Sequence, residues 1–344
     1  MPKELKLGAD RKAVLVDYTD PPTGNGEVKV KSIYGAPKHG TELTMYQYDP
    51  HAETYYDEEA HIFKKRDVPD SAYGKSGLGN MWVGEIIETG PGVFGFSIGE
   101  RVAGYGNLKP THIVKQENLL KMAERMSWQE AVCFDPLQFA IGGVRDGHVR
   151  FGDTVLISGL GAIGLMAAQA ARLAGAYLVA VSDPIEKRRK AALENGADIA
   201  FDPTKEDAGL LLRDKTGNIG CDVVIETSGS YKAIEQGIRA LAYGGNLACV
   251  GWLKECHIPI NLGYEGHFNQ TKIIFSRACS EPNNDYPRWS FNRICREAWD
   301  MLNKGMFKCG NIIDPIVPFE KSDEGYITYI VEHPERSVKL GVIF

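Results

Sequence analysis

The sequence contains no run of about eighteen apolar residues, so no segment reads as a membrane-spanning helix. The opening Met1-Pro2-Lys3-Glu4-Leu5-Lys6 lacks the apolar stretch of a secretory signal, and a cytoplasmic setting is expected. Cysteine is sparse: there are seven, none before Cys133, and no CxxC pair among them. That scatter excludes a disulfide framework and predicts reduced, mostly buried thiols. Basic residues are in the minority, with 39 Lys and Arg against 45 Asp and Glu, a formal charge of −6. The balance argues against nucleic acid as a partner. No internal repeat or low-complexity tract is present either. What remains is a 344-residue chain, 43% hydrophobic and 24% charged. It is long for one core and composed like a globular enzyme of about two domains.

One stretch organises the rest. Val155-Leu156-Ile157-Ser158 is an apolar strand pattern, and Gly159-Leu160-Gly161-Ala162-Ile163-Gly164 follows it directly. A helix pattern then runs through Ala167, Ala168, Ala170, Ala171 and Leu173. Strand, glycine turn and helix in that order suit a pyrophosphate. Gly159 permits the turn, Gly161 admits the phosphate to the backbone, and Gly164 lets helix and strand pack closely. A second apolar run, Tyr177 to Ser182, ends at Asp183, where an acid accepts the ribose hydroxyls of an adenosine. A carboxylate there repels a 2′-phosphate, so NAD is the expected cofactor.

The residues before this stretch read as β structure: Lys12 to Val16, Glu27 to Ile33, Trp82 to Thr89 and Arg101 to Ala103, separated by Gly- and Pro-rich turns. Between them, Tyr46 to Lys75 is polar and aromatic, with Tyr46, Tyr48, Tyr55, Tyr56 and Phe63 among Asp49, Glu53, Asp57, Glu58 and Glu59. A helical pattern begins at Ser127. Strands and helices then alternate: helix Ile185 to Asn195, strands Ile199 to Phe201 and Val223 to Glu226, and a helix from Lys232 to Leu241 that stops at Gly244-Gly245. Strands Asn246 to Val250 and Lys272 to Ser276 complete the series. Such alternation predicts a doubly wound parallel sheet. Thr227, Val250 and Gly251 close two of its strands, where an open α/β sheet places its ligand. The tail carries one amphipathic helix and a β-like end, Val338 to Phe344, that leaves this sheet.

With His39-Gly40-Thr41-Glu42, Gly84-Glu85-Ile86-Ile87-Glu88-Thr89-Gly90, Ile98-Gly99-Glu100-Arg101-Val102, Asp135-Pro136-Leu137, the glycine turn and Val250-Gly251, nearly the whole chain resembles the medium-chain dehydrogenase/reductase superfamily. The resemblance implies an α/β protein. A GroES-like β-rich catalytic domain (1–138) would be followed by a Rossmann NAD-binding domain (139–277) and a return to the first domain (278–344). It implies Arg188 at a basic position near the adenosine ribose, and Thr41 at the hydroxyl that relays the substrate's proton. Glu42 falls at the family's orienting acid, though it could equally serve as a structural salt-bridge acid.

The departures concern metal. The family's zinc-ligand cysteine is His39 here, its Gly-His-Glu reads Gly79-Asn80-Met81, and Asp135 keeps a carboxylate at the third position. The four-cysteine lobe is missing, so no structural zinc is expected. A catalytic zinc is left open. His39 and Asp135 are sound ligands and Asn80 a poor one, and His51, His61 or Glu53 could add another. With zinc, the metal would polarise the alkoxide. Without it, His39 would act as general acid/base through Thr41. The expected activity is hydride transfer between NAD and a secondary alcohol, a sugar, polyol or cyclitol, in a homodimer or homotetramer. The aromatic segment, Trp82, Trp289 and Asn283 to Trp289 are candidate substrate contacts, with packing as their alternative. The competing readings are a zinc-independent enone or quinone reductase and a nucleotide-binding protein with lost catalysis.

Overall fold

Apolar residues that alternate along short runs can bury only one face, and they fold here as the strands of a β-rich unit. The computed structural model describes residues 1–47, 51–253 and 256–344. Tyr48 and Asp49 of the aromatic segment lie outside the described residues. The chain forms two compact units, Met1–Val132 with Ile313–Phe344, and Cys133–Ile312.

The first unit opens with β1 (Lys3–Leu7), β2 (Ala13–Asp17), β3 (Glu27–Ala36), α1 (His39–Gln47), β4 (Thr54–Asp57) and β5 (Ile62–Lys65). It continues through β6 (Met81–Thr89), β7 (Arg101–Tyr105), β8 (Thr111–Lys115), β9 (Leu120–Lys121) and α2 (Trp128–Val132). Over the first half of β3 the buried positions are Val28, Val30 and Ser32, the alternation that places one face of a strand against a core. The aromatic segment contributes a hairpin, β4 paired antiparallel with β5, and no third strand joins it among the described residues.

The second unit holds α3 (Phe134–Asp146), β10 (Thr154–Ser158), α4 (Ala162–Leu173), β11 (Leu178–Ser182), α5 (Glu186–Glu194) and β12 (Ile199–Phe201). After these come α6 (Ala208–Lys215), β13 (Cys221–Glu226), α7 (Tyr231–Ala240), β14 (Leu241–Cys249), α8 (Glu265–Phe268), β15 (Lys272–Phe275) and α9 (Phe291–Asn303). Among the described residues its sheet has six strands, all parallel, in the order β12-β11-β10-β13-β14-β15. Leu156, Ala180, Val224 and Leu247 meet Leu212, Ile234 and Ile238 in its core. Their near-continuous apolar runs reflect burial on both faces, as parallel sheets require.

The chain then returns to the first unit through β16 (Ile313–Pro318) and β17 (Lys339–Ile343), and β17 pairs antiparallel with β3. Residues 278–312, read from the sequence as part of the return, pack within the second unit, where the amphipathic α9 belongs. A second difference concerns Gly244 and Gly245. The helix before them ends at Ala240, and both glycines lie inside β14, where the pairing with β13 shifts register between Cys221 and Val223. Gly244 has φ +74°, a bend that serves a strand irregularity as readily as a helix stop. Among the described residues no helix is long and apolar enough to cross a membrane.

His112 is buried in the first unit, its ring stacked on Trp82 at 4.4 Å between centroids. Burial pulls its pKa down to about 3 from the ordinary 6.5. The unfolded chain therefore takes up this proton first as pH falls. The first unit should lose stability from about pH 7 downwards, by about 2 kcal/mol from this residue at pH 5. His112→Phe keeps a ring on Trp82 and removes the titration, so urea unfolding at the two pH values should show a flatter dependence. An undiminished dependence would place the acid sensitivity elsewhere.

Candidate active site

The parallel strands of the second unit share one carboxyl edge, and connections leave β10 and β13 in opposite directions along the sheet. Such a switch point opens a crevice for a ligand. At Gly159, φ is +86° and a Cβ would lie 2.7 Å from the Ser228 Cβ, so only glycine fits. At Gly164 a Cβ would lie 1.9 Å from the Gly159 carbonyl oxygen. Gly161 differs: a Cβ there would meet nothing within 4 Å. The space before it is open, and among the described residues no side chain caps α4. The first-turn N–H groups, those of Ala162 and Ile163 among them, are thus left for an outside anion.

Asp183 follows β11 and is 3% exposed. Its Oδ2 accepts from the Leu160 N–H at 2.7 Å and its Oδ1 from the Ile185 N–H at 2.8 Å. An ionised carboxylate keeps further lone pairs for a ribose diol. Arg188 brings a guanidinium nitrogen to 3.9 Å from Oδ2. At the next turn the Thr227 hydroxyl donates to the Gly159 carbonyl at 2.8 Å. The N–H groups of Val250 and Gly251 donate to the Glu226 carbonyl at 2.8 and 2.9 Å. Gly159, Gly161, Ala162, Ile163, Gly164, Asp183, Arg188, Thr227, Val250 and Gly251 therefore meet along one edge of one unit. Glu226, expected from the sequence only as the end of a buried strand, is a fully buried acid that closes β13 on this edge.

The first unit holds His39 and Thr41 on the opening turn of α1. The His39 Nε2 accepts from the Leu340 N–H at 2.9 Å, so that nitrogen carries no proton. Lys339, one residue back on β17 and buried, donates to the Pro37 carbonyl at 2.6 Å. Glu42 is also buried, and its Oε1 accepts from the Gly79 N–H at 2.9 Å. Burial pushes its carboxyl up to about 7, with Gly79, Lys38, Lys339 and Tyr326 acting in the other direction. Thr41 is exposed. Asp135 is buried in the first turn of α3, in the second unit.

The candidate zinc ligands of the first unit are already engaged in part. The His39 Nε2 is engaged by backbone, and position 80 offers an amide whose buried Nδ2 has no hydrogen-bond partner. Of the possible substitutes His51, His61 and Glu53, the two histidines pack against the hairpin's own rings. His51 stacks on Phe63 at 6.1 Å, and the His61 Nδ1 lies 3.3 Å from the Tyr56 hydroxyl. Among the described residues, no three His, Cys, Asp or Glu side chains are grouped to hold a metal ion. Trp289 is likewise engaged. Arg145 and Arg293 lay guanidinium groups over its ring at 3.8 and 4.1 Å, which takes up the surface a sugar would stack on.

One unit with a dinucleotide edge and a separate β-rich unit define a class, and comparison with known proteins agrees. The family profile described as zinc-binding dehydrogenase matches residues 162–293. The chain is 46% identical to D-guloside 3-dehydrogenase of Escherichia coli (strain K12), over 99% of this chain and all of that protein. It is 30% identical to L-threonine 3-dehydrogenase of Pyrococcus furiosus, over 72% of this chain and 74% of that one. In fold it resembles 2R,3R-butanediol dehydrogenase from Bacillus subtilis, with a TM-score of 0.78 at 20% identity over the full length of both chains. The chain belongs to the medium-chain dehydrogenase/reductase superfamily.

Two glycine substitutions separate packing from ligand binding. Gly164→Ala drives a methyl group into a carbonyl and should destabilise the second unit by about 1–3 kcal/mol. Gly161→Ala adds its methyl to open space. It should melt like the unmutated protein yet bind NADH at least about tenfold more weakly. Thermal melts and NADH titration read both, and unchanged NADH affinity in Gly161→Ala would contradict a phosphate cradle at this turn.

Proposed function

We propose that the protein is an NAD-dependent dehydrogenase that interconverts a secondary hydroxyl of a sugar, glycoside or polyol with the corresponding ketone. Asp183 carries the cofactor part of this reading. Its two oxygens are fixed by the Leu160 and Ile185 N–H groups, so the negative charge cannot swing away from an approaching ribose. A free diol donates to that carboxylate, and a 2′-phosphate meets it as a like charge. The full-length likeness to D-guloside 3-dehydrogenase supports a glycoside of that kind as substrate, oxidised at carbon 3.

NAD, when bound, takes the hydride, and the protein must move the hydroxyl proton. We assign the relay to the Thr41 hydroxyl, and the acceptor to His39 on the same turn. Protonating the His39 Nε2 requires release of the Leu340 N–H, which couples proton transfer to the seat of α1 on β17. A homodimer or homotetramer is supported by the sheet's outer strand β15, where Ile273 and Phe275 are 40% and 74% exposed. A cytoplasmic setting fits seven free cysteines.

The cofactor assignment is tested by titrating NADH and NADPH. NADH should bind at least about tenfold more tightly, equivalent to about 1.4 kcal/mol. Asp183→Ala should narrow the gap. Equal affinities in the unmutated protein would sink the assignment.

A further inference from the structure

Glu226 is 0% exposed, and it sits where three turns of the carboxyl edge converge. Its main-chain carbonyl accepts from Val250 and Gly251, at the end of β14. Its side chain turns back on its own loop. Oε1 accepts from the Ser228 N–H at 2.6 Å, from the Ser228 hydroxyl and from the Gly229 N–H at 3.1 Å. Oε2 shares the Gly229 N–H at 3.1 Å. Gly229 is thereby held at φ +70°, where a Cβ would lie 2.8 Å from the Trp252 carbonyl oxygen. Its N–H nitrogen sits so close to Gly251 that a Cβ on Gly251 would be 2.3 Å away. On the third side, the neighbouring Thr227 bonds to the carbonyls of Ser158 and Gly159.

We propose that Glu226 is the positioning residue for the nicotinamide half of the cofactor edge, acting through Thr227 and Gly251. This rests on the cofactor reading above. A dinucleotide that places its adenosine ribose on Asp183, after β11, must carry its other half across the switch point onto the ends of β13 and β14. Those ends meet glycine to glycine, and their spacing is set by the turn that the Glu226 carboxylate organises. The carboxylate offers only acceptors to a set of groups that all donate. An amide in its place turns one acceptor into a donor facing the Gly229 N–H, and the turn loses its template. Asp183 touches none of these groups, so the two carboxylates divide the edge between them.

The division is testable by binding two ligands to the full chain by calorimetry. NADH engages both halves, and ADP engages only the adenosine and pyrophosphate part. Glu226→Gln should weaken NADH at least about tenfold while leaving ADP within about twofold. Asp183→Ala should weaken both. Where Glu226→Gln does not yield folded protein, Ser228→Ala serves. It removes one donor, keeps the carboxylate, and should weaken NADH about threefold with ADP again unchanged. Equal losses of NADH and ADP, or no loss of either, would overturn the proposal and make Glu226 merely a folding residue. An unmutated protein that binds ADP too weakly to detect would contradict the division of binding between halves. If it binds ADP but neither NADH nor NAD, the cofactor reading itself fails.

Discussion

The Leu160 N–H donates to the Asp183 Oδ2 across 2.7 Å, and through that bond the turn after β10 is tied to the end of β11. Parallel strands end in loops whose backbone groups need partners, because no ladder continues beyond them. Here a buried carboxylate supplies one, and Glu226 does the same for the loop after β13. Each acid sits among N–H donors rather than beside a cation alone, and the loops are thereby held rigidly. The open volume at Gly161 and the uncapped start of α4 lie between the two. A dinucleotide with a negative pyrophosphate in its middle matches that arrangement of charge and space.

The first unit uses buried polar groups for another purpose. His39, Glu42 and Lys339 each spend their strongest hydrogen-bonding capacity on backbone, at Leu340, Gly79 and Pro37 respectively. These bonds fasten the opening turn of α1 to β17 and to the loop before β6. Residues 39 and 80, expected from the sequence at zinc-ligand positions, here hold a backbone acceptor and an amide. The chemistry proposed for His39 therefore begins from a neutral, engaged imidazole, and a proton can reach Nε2 only as the bond to Leu340 is released.

Much of the second unit was legible because parallel strands buried on both faces leave long apolar runs, and because the glycine turn follows its strand directly, with steric reasons for glycine at Gly159 and Gly164. Asp183 was legible by its distance from those glycines. Glu226 was legible only as the end of a buried strand, because the donors that hold its carboxyl group belong to a turn no local pattern specifies. The seat of His39 was equally hidden. Its partner is a backbone N–H some three hundred positions later, and no side-chain pattern announces such a bond. Gly244 and Gly245 misled for a third reason, because a positive φ is common to helix stops and strand irregularities. The role of Trp289 depended on two arginines, one of them far away in sequence, whose approach no local pattern reveals.

The central claim is that a hydride passes from a carbinol carbon of a sugar to a nicotinamide held on this edge. It is tested most directly with a D-guloside carrying deuterium at carbon 3, incubated with the protein and NAD and followed by proton NMR of the nicotinamide. The expected result is reduced cofactor bearing deuterium at the ring's C4 position, with the 3-keto glycoside formed in equal amount. Reduced cofactor without deuterium would place the chemistry at another carbon. Absence of reduction across a panel of sugars and polyols, in protein shown to bind NAD, would contradict a dehydrogenase of this class of substrate.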